Sequence, residues 1–520
     1  MRPSVFAPFT LLASSALWGL SNAQTAQTVL DTDQLLVKTT SGNLVGRYNA
    51  TNVRSWLGVR YAFPPTGTRR FAAPVPYDVT SDTMLDATSF GYTCPGQYYP
   101  GTTIYTELPF LPFSQQNEDC LTLNVWAPTK QRIQALGGKL PIVVFIPGGY
   151  FTQGGSAVSA TDATNLVANN NIIAITMNYR LSVFGFPNFG SARNAGLLDQ
   201  RLALEWARNN ADKFGGDPSR ITLIGQSAGG ISADAHTFAM WNSTTGSTLH
   251  DAAPIANGVV ILSGGTFLDI FSTDKLQVHF GQLGAAVGCP TSPSAALMDC
   301  MRSKPTATLL NEIVTNGSAR GWNFAPVPDE RLIFSNYTER ILSGKMTKVP
   351  TLISSLENEA TGLVPFDPKG INQTLANELL YSTFVCTTAK NADLRAQANV
   401  PTYRVRYSGN FTNISPYPFL GTYHGAELPM LFGGAAPQFG GRNSTNDESE
   451  TAKLMQSYLV AFASDPLNGL GKMGWPKYKP GNDSIVVVTP PVTPKLKTAI
   501  SSSPPVMLDS SLRYDAPCHV

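Results

Sequence analysis

The residues best suited to chemistry begin with Gly225-Gln226-Ser227-Ala228-Gly229. A serine hydroxyl is a weak nucleophile until a base takes its proton, and small flanking residues on a strand-to-helix turn expose such a hydroxyl. The five-residue match alone carries little weight in a chain with 45 glycines. Its surroundings carry more: the β-rich run Ile221-Thr222-Leu223-Ile224 leads into it, and the helix-compatible stretch from Ile231 to Met240 follows. The pattern predicts Ser227 as a nucleophile on a sharp turn, with the N–H of Ala228 as one donor to a developing oxyanion.

A serine on such a turn is followed in chain order by an acid and then a histidine. His236, His250 and His279 leave few acid-bearing loops before them, and His519 is the penultimate residue. His424, in Gly421-Thr422-Tyr423-His424-Gly425-Ala426-Glu427-Leu428, follows the strand-like run Thr402 to Tyr407 and is the predicted base. The acid must lie buried against the imidazole to fix its tautomer and stabilise the imidazolium. The loop after Pro350 to Ile353 holds two glutamates, Glu357 and Glu359, and spacing does not choose between them. Further oxyanion donors are expected from the glycine turn Pro147-Gly148-Gly149-Tyr150-Phe151, where another β-rich run ends.

These pieces need a frame. Apolar runs at Leu140 to Ile146, Ile172 to Met177, Ile221 to Ile224, Val259 to Leu262, Pro350 to Ile353, Thr402 to Tyr407 and Ile485 to Val488 alternate with helical stretches such as Leu197 to Lys213 and Glu448 to Phe462. Continuous apolar strands spaced by helices indicate an α/β protein with a large, mostly parallel sheet covered on both faces. Its chemistry is expected in the loops at the carboxyl ends of the strands. Leu36 to Val45 and Trp56 to Tyr61 read as short strands in a polar amino-terminal region, and a small amino-terminal antiparallel sheet is expected beside the large one. With 520 residues, 42% of them hydrophobic, and no internal repeat, the chain reads as one large domain over residues 24–520.

Residues 1–23 read as a secretory signal peptide: Arg2, an apolar core from Val5 to Leu20, and a small-residue cleavage site at Ser21-Asn22-Ala23. No later run is long and apolar enough to anchor the chain in a membrane. An even number of cysteines, six, suits an oxidising compartment. Sequons stand at Asn49, Asn242, Asn316, Asn336, Asn372, Asn410, Asn413, Asn443 and Asn482. A net charge of +2, with 14% charged residues and no basic cluster, speaks against a nucleic-acid partner.

Ordered blocks along nearly the whole mature chain resemble the type-B carboxylesterases, the family of fungal secreted lipases, liver carboxylesterases and cholinesterases. They are Gly58-Val59-Arg60-Tyr61-Ala62, Glu118-Asp119-Cys120-Leu121-Thr122-Leu123-Asn124-Val125, Asn178-Tyr179-Arg180, Asn194-Ala195-Gly196-Leu197-Leu198-Asp199-Gln200, Phe214-Gly215-Gly216-Asp217-Pro218 and the Ser227 turn. The resemblance implies an α/β-hydrolase fold and a secreted serine esterase using no metal and no cofactor. It implies Ser227 as nucleophile, His424 as base and Glu359 as acid, with Gly149, Tyr150 and Ala228 forming the oxyanion hole. It also implies three disulfides, Cys94–Cys120, Cys289–Cys300 and Cys386–Cys518, and leaves Glu357 as a solvated neighbour.

Three departures stand out. Gln226 replaces the usual glutamate, Tyr150 replaces the third glycine of the hole, and the segment from Glu359 to His424 is short for the family. The flap between Cys94 and Cys120 contains Tyr98, Tyr99, Phe110 and Phe113 but no tryptophan. With Gln226 neutral, that speaks for uncharged esters, small or lipid, and against choline esters. The same framework would serve a triacylglycerol lipase, an esterase or acyltransferase of secondary metabolism, or a non-catalytic binding protein of the neuroligin-like kind. The last is disfavoured because all three reactive residues are in place.

Overall fold

The computed structural model describes residues 34–50, 52–79, 84–97, 103–107, 115–239, 254–272, 274–433, 444–489, 498–502 and 505–519. The predicted signal peptide therefore lies outside the described residues, as do Tyr98, Tyr99, Phe110 and Phe113 of the flap, His250, Asn242 and Asn443.

Fifteen strands, numbered in chain order, make two sheets among the described residues. β1 (Leu36–Thr39), β2 (Gly42–Val45) and β5 (Met84–Asp86) form the small one. β1 and β2 pair antiparallel, but β5 lies parallel to β2, so this sheet is mixed rather than wholly antiparallel. The large sheet takes β3 (Arg47–Ala50), β4 (Val53–Arg60), β6 (Thr122–Pro128), β7 (Leu140–Ile146), β8 (Ile173–Met177) and β9 (Gly216–Gln226). It continues with β10 (Gly258–Leu262), β11 (Thr351–Leu356), β12 (Thr402–Tyr407), β13 (Asp483–Val488), β14 (Thr498–Ser502) and β15 (Pro505–Ser510). Its order is β14-β15-β13-β12-β11-β10-β9-β7-β8-β6-β4-β3. The run from β8 to β13 is parallel, and antiparallel strands close both edges.

Two-sided burial explains why β7, at the middle of the sheet, is apolar at every position. Side chains alternate across a sheet, so Ile142, Val144 and Ile146 of β7 enter one core and Val143 and Phe145 enter the other. The first core is covered by the helix Ala195–Asn210 through Leu197, Leu204 and Trp206, and by Ile231 of the helix Ala228–Ala239. Over the second lies the helix Asn446–Ser464, through Met455, Tyr458, Leu459 and Phe462. Its start carries a capping box in which Thr445 and Glu448 satisfy each other's backbone N–H.

The cysteines pair as Cys94–Cys120, Cys289–Cys300 and Cys386–Cys518. The last joins residues 132 positions apart and ties the carboxyl-terminal turn to the helix Cys386–Gln397. No described helix is long and apolar enough to cross a membrane.

Candidate active site

β9 ends at Gln226, and the helix Ala228–Ala239 starts two residues later, leaving Ser227 alone on the turn. Its φ of +58° is a left-handed conformation that non-glycine residues seldom adopt. Two glycines make so sharp a turn feasible. A Cβ on Gly225 would stand 2.0 Å from the carbonyl oxygen of Gly229, and one on Gly229 would stand 2.0 Å from that of Ile146. The Ser227 N–H donates to Leu262 O on the neighbouring strand at 2.8 Å, which anchors the turn to β10.

The glycine turn after β7 faces Ser227. Gly149 has φ +116°, and Tyr150 and Phe151 follow at +62° and +61°. A Cβ on Gly148 would come within 2.9 Å of the Ser227 Cβ, so this loop approaches the serine at backbone distance. Among the described residues, the N–H groups of Gly149, Tyr150 and Ala228 donate to no acceptor. Unpaired N–H groups beside the half-buried Ser227, one of them opening a helix, can receive negative charge. Tyr150, which stands where the resemblance expects a third glycine, is 56% exposed and lines the cavity beside Ser227.

The loops after β11 and β12 are sewn together. Asn358 N–H donates to Thr422 O at 3.1 Å, Thr422 N–H donates to Asn358 Oδ1 at 3.0 Å, and His424 N–H donates to Glu359 O at 3.2 Å. These bonds bring Glu359 Oε2 to 2.7 Å from His424 Nδ1, while Glu359 Oε1 accepts the Leu356 N–H at 2.9 Å. Glu359 is completely buried. Glu357, the alternative left open by spacing, turns away. It pairs with Arg406 at 3.2 Å and accepts from Ser408 Oγ at 3.0 Å, so it is a paired carboxylate rather than a freely solvated one.

Ser227 and His424 line the same cavity, of about 180 Å³, with Gly149, Tyr150 and Gln226. The structure does not bond them directly. Ser227 Oγ has no hydrogen-bond partner among the described residues, and the nearest polar neighbour recorded for His424 Nε2 is the Gln226 side-chain nitrogen at 3.2 Å. Catalytic hydrogen bonds are often long or misaligned without substrate, so this gap leaves the pair usable. Apart from the His424 imidazole, no described lining residue carries a carboxylate, amine, guanidinium or imidazole. Sequence reasoning missed Tyr105, whose hydroxyl donates to His424 O from within the flap, and Phe384, whose ring centre is 5.1 Å from the imidazole. Neither sits in a motif.

Glu427 was also missed. It is 1% exposed, and neither of its carboxylate oxygens has a partner among the described residues. Burial, with the Glu359 charge second, pushes its carboxyl up to about 8. His236, set aside on chain order, is buried and bonded to Gln200 Oε1 at 3.1 Å; burial, with the Arg201 charge second, lowers it to about 3.

The predicted sequons differ in access. Asn336, Asn372, Asn410 and Asn482 are exposed. Asn49 and Asn316 are half-buried, their amides bonded to Thr164 and Glu312. Asn413 points inward, 6% exposed, with its amide donating to both Glu448 oxygens at 2.8 Å, so a glycan there would have to break the bond that holds the capping box to the His424 loop.

A serine turn at the carboxyl edge of a doubly covered parallel sheet, with a glutamate and a histidine in contact on successive later loops, is the architecture of an α/β-hydrolase. The sequence matches the model of the Carboxylesterase family over residues 33–379 and 367–502, and the chain belongs to that family. It is 36% identical over 500 residues to a chlorogenic acid esterase of Aspergillus niger, covering 92% of this chain and 94% of that one. It is 36% identical over 488 residues to secreted lipase 5 of Gibberella zeae, covering 86% and 88% respectively. A para-nitrobenzyl esterase of Bacillus subtilis is 29% identical over 484 residues, covering 85% and 92%. The chain is accordingly a carboxylic ester hydrolase by family.

Proposed function

We propose that the protein is a secreted, single-domain serine esterase that hydrolyses neutral carboxylic esters through an acyl-Ser227 intermediate. The observation that carries this reading is the meeting at one small cavity of the strained Ser227, Gly149 and Tyr150 with unpaired N–H groups, and a histidine backed by a buried glutamate, with the unpaired Ala228 N–H directly after the serine. Ser227 Oγ attacks the ester carbonyl carbon as its proton passes to His424 Nε2. The carbonyl oxygen becomes an oxyanion received by the N–H groups of Gly149, Tyr150 and Ala228, and Glu359 steadies the imidazolium through Nδ1. Collapse breaks the bond to the alcohol oxygen, which leaves with the proton from Nε2. Water repeats the sequence on the acyl-enzyme and releases the acid.

An uncharged lining supports uncharged substrates. Secretion is supported by the amino-terminal 23 residues, the three disulfides and the exposed sequons at Asn336, Asn372, Asn410 and Asn482. A panel of chromogenic esters of increasing acyl length, with chlorogenic acid and emulsified triacylglycerol added because of the relatives' names, tests the substrate class. Preference for monomeric esters is expected; activity confined to emulsions would make the protein a lipase. Ser227→Ala is expected to abolish hydrolysis of every active substrate.

A further inference from the structure

The contact between Gln226 and His424 has a defined polarity. Nδ1 faces a carboxylate oxygen at 2.7 Å, an acceptor, so in the neutral form of the ring that acts as base the proton belongs on Nδ1 and Nε2 presents its lone pair. Opposite that lone pair, at 3.2 Å, is the Gln226 amide nitrogen, which only donates. Gln226 is 6% exposed and is the last residue of β9, aligned with Leu262 of β10, so its backbone is fixed on the sheet. Its Oε1 has no partner among the described residues and lies against Gly148, where an added Cβ would stand 2.7 Å away. In the resting site the base's lone pair is therefore held by Gln226, not by Ser227.

Proton transfer inverts this polarity. Once Ser227 Oγ has given its proton to Nε2, an N–H faces the amide N–H, donor against donor. The terminal torsion of glutamine is broad and roughly two-fold, so a turn of about 180° exchanges the nitrogen for Oε1. That oxygen accepts from the new Nε2–H. We propose that Gln226 is a positioning residue for the catalytic base that works through both ends of its amide. Its N–H holds the neutral ring in the productive tautomer. Its Oε1 then holds the protonated ring until the proton leaves on the departing alkoxide. A glutamate, which the family resemblance would place here, has only acceptors when ionised and serves the second half alone, while its charge favours the protonated ring throughout.

This inference rests on the Ser227, Glu359 and His424 reading. The titratable groups around the ring are Glu359 on Nδ1, Glu427 three residues on, and Tyr105 on the His424 carbonyl; Phe384 adds an uncharged face. All stay unchanged in the variants below.

The test compares kcat and KM on a short-chain chromogenic ester for the wild type, Q226M and Q226E from about pH 5 to about pH 9. Q226M keeps the length but neither donates nor accepts in this way, and kcat is expected to fall about tenfold at every pH, with KM within about twofold. In Q226E the acid limb of kcat/KM is expected to move up by about one pH unit, with most of the activity recovered above it. Wild-type kcat in Q226M, or identical pH profiles for Q226E and Q226M, would overturn the proposal.

If the variants fail to fold, nitrogen-15 spectra of histidine-labelled S227A decide, because the only hydroxyl able to reach Nε2 from residue 227 is then gone. A hydrogen-bonded, unprotonated Nε2 is expected, and an unbonded one would refute it. Full activity in S227A would sink the underlying reading instead, so the two failures are distinguishable.

Discussion

Replacing Glu427 with glutamine removes a buried carboxyl whose titration couples to folding. In the folded protein its carboxyl is pushed from the ordinary 4.5 up to about 8, first by burial and then by the Glu359 charge. Between those values the native state holds a proton that the unfolded chain has released, so native binds more protons than unfolded and stability falls as pH rises. Each pH unit in that window is worth about 1.4 kcal/mol, which makes about 4–5 kcal/mol lost between pH 4.5 and 8 from this residue alone. Unfolding entropy of about 2.1 cal/mol/K per residue gives about 1 kcal/mol per degree for a chain of this length. The wild type should therefore lose about 4–5 °C of melting temperature across that window relative to E427Q. Scanning calorimetry of both proteins at a series of pH values, at one scan rate, reads the difference. Parallel curves would refute the reasoning, since they would mean that Glu427 binds its proton no more tightly in the folded protein than in the unfolded chain.

Two further substitutions probe the site's geometry. Glu359→Gln should lower kcat by about a thousandfold or more by presenting a donor where Nδ1–H needs an acceptor, whereas Glu357→Gln should stay within about threefold; steady-state kinetics separates them, and the reverse order would misassign the acid. Gly229→Ala drives a Cβ to 2.0 Å from Ile146 O and should cost more than about 3 kcal/mol, whereas Gly471→Ala, with open space around it, should change the melting temperature little or raise it.

The legible parts of the fold were those with a local cause. Leu140–Ile146 and Thr402–Tyr407 were readable to the residue because central strands buried on both faces are rich in apolar, aromatic and β-branched residues. In the second, Arg404 and Arg406 break the apolar run, and their partners Asp515 and Asp509 lie more than a hundred residues away, beyond any local pattern. β6 escaped a strand assignment because Thr122 and Asn124 interrupt its hydrophobic run. Buried Asn124 donates to Ser156 and Thr176, an account that needs tertiary neighbours. The antiparallel strands β14 and β15 were invisible for a related reason: β14, at the sheet edge, need not carry the apolar run that marks a central strand, and that of β15 is only Val506-Met507-Leu508.

At the site, chain order and post-strand position were enough to nominate Ser227 and His424. Choosing between Glu357 and Glu359 required knowing which one lies beneath the imidazole. That depends on the bonds joining the loops after β11 and β12, above all His424 N–H to Glu359 O. Gln226 was noticed as a departure in type, but its grip on Nε2 follows from the approach of β9 to the His424 loop, to which no spacing in the sequence points.

The central claim is that an acyl group passes through Ser227. Its most direct test is to treat the folded protein and S227A with a phosphonylating ester analogue, then determine intact mass and the labelled peptide. One equivalent on the peptide containing Ser227, with matching loss of esterase activity and no label on S227A, is the expected result. Label at another residue, or S227A hydrolysing esters at the wild-type rate, would contradict it.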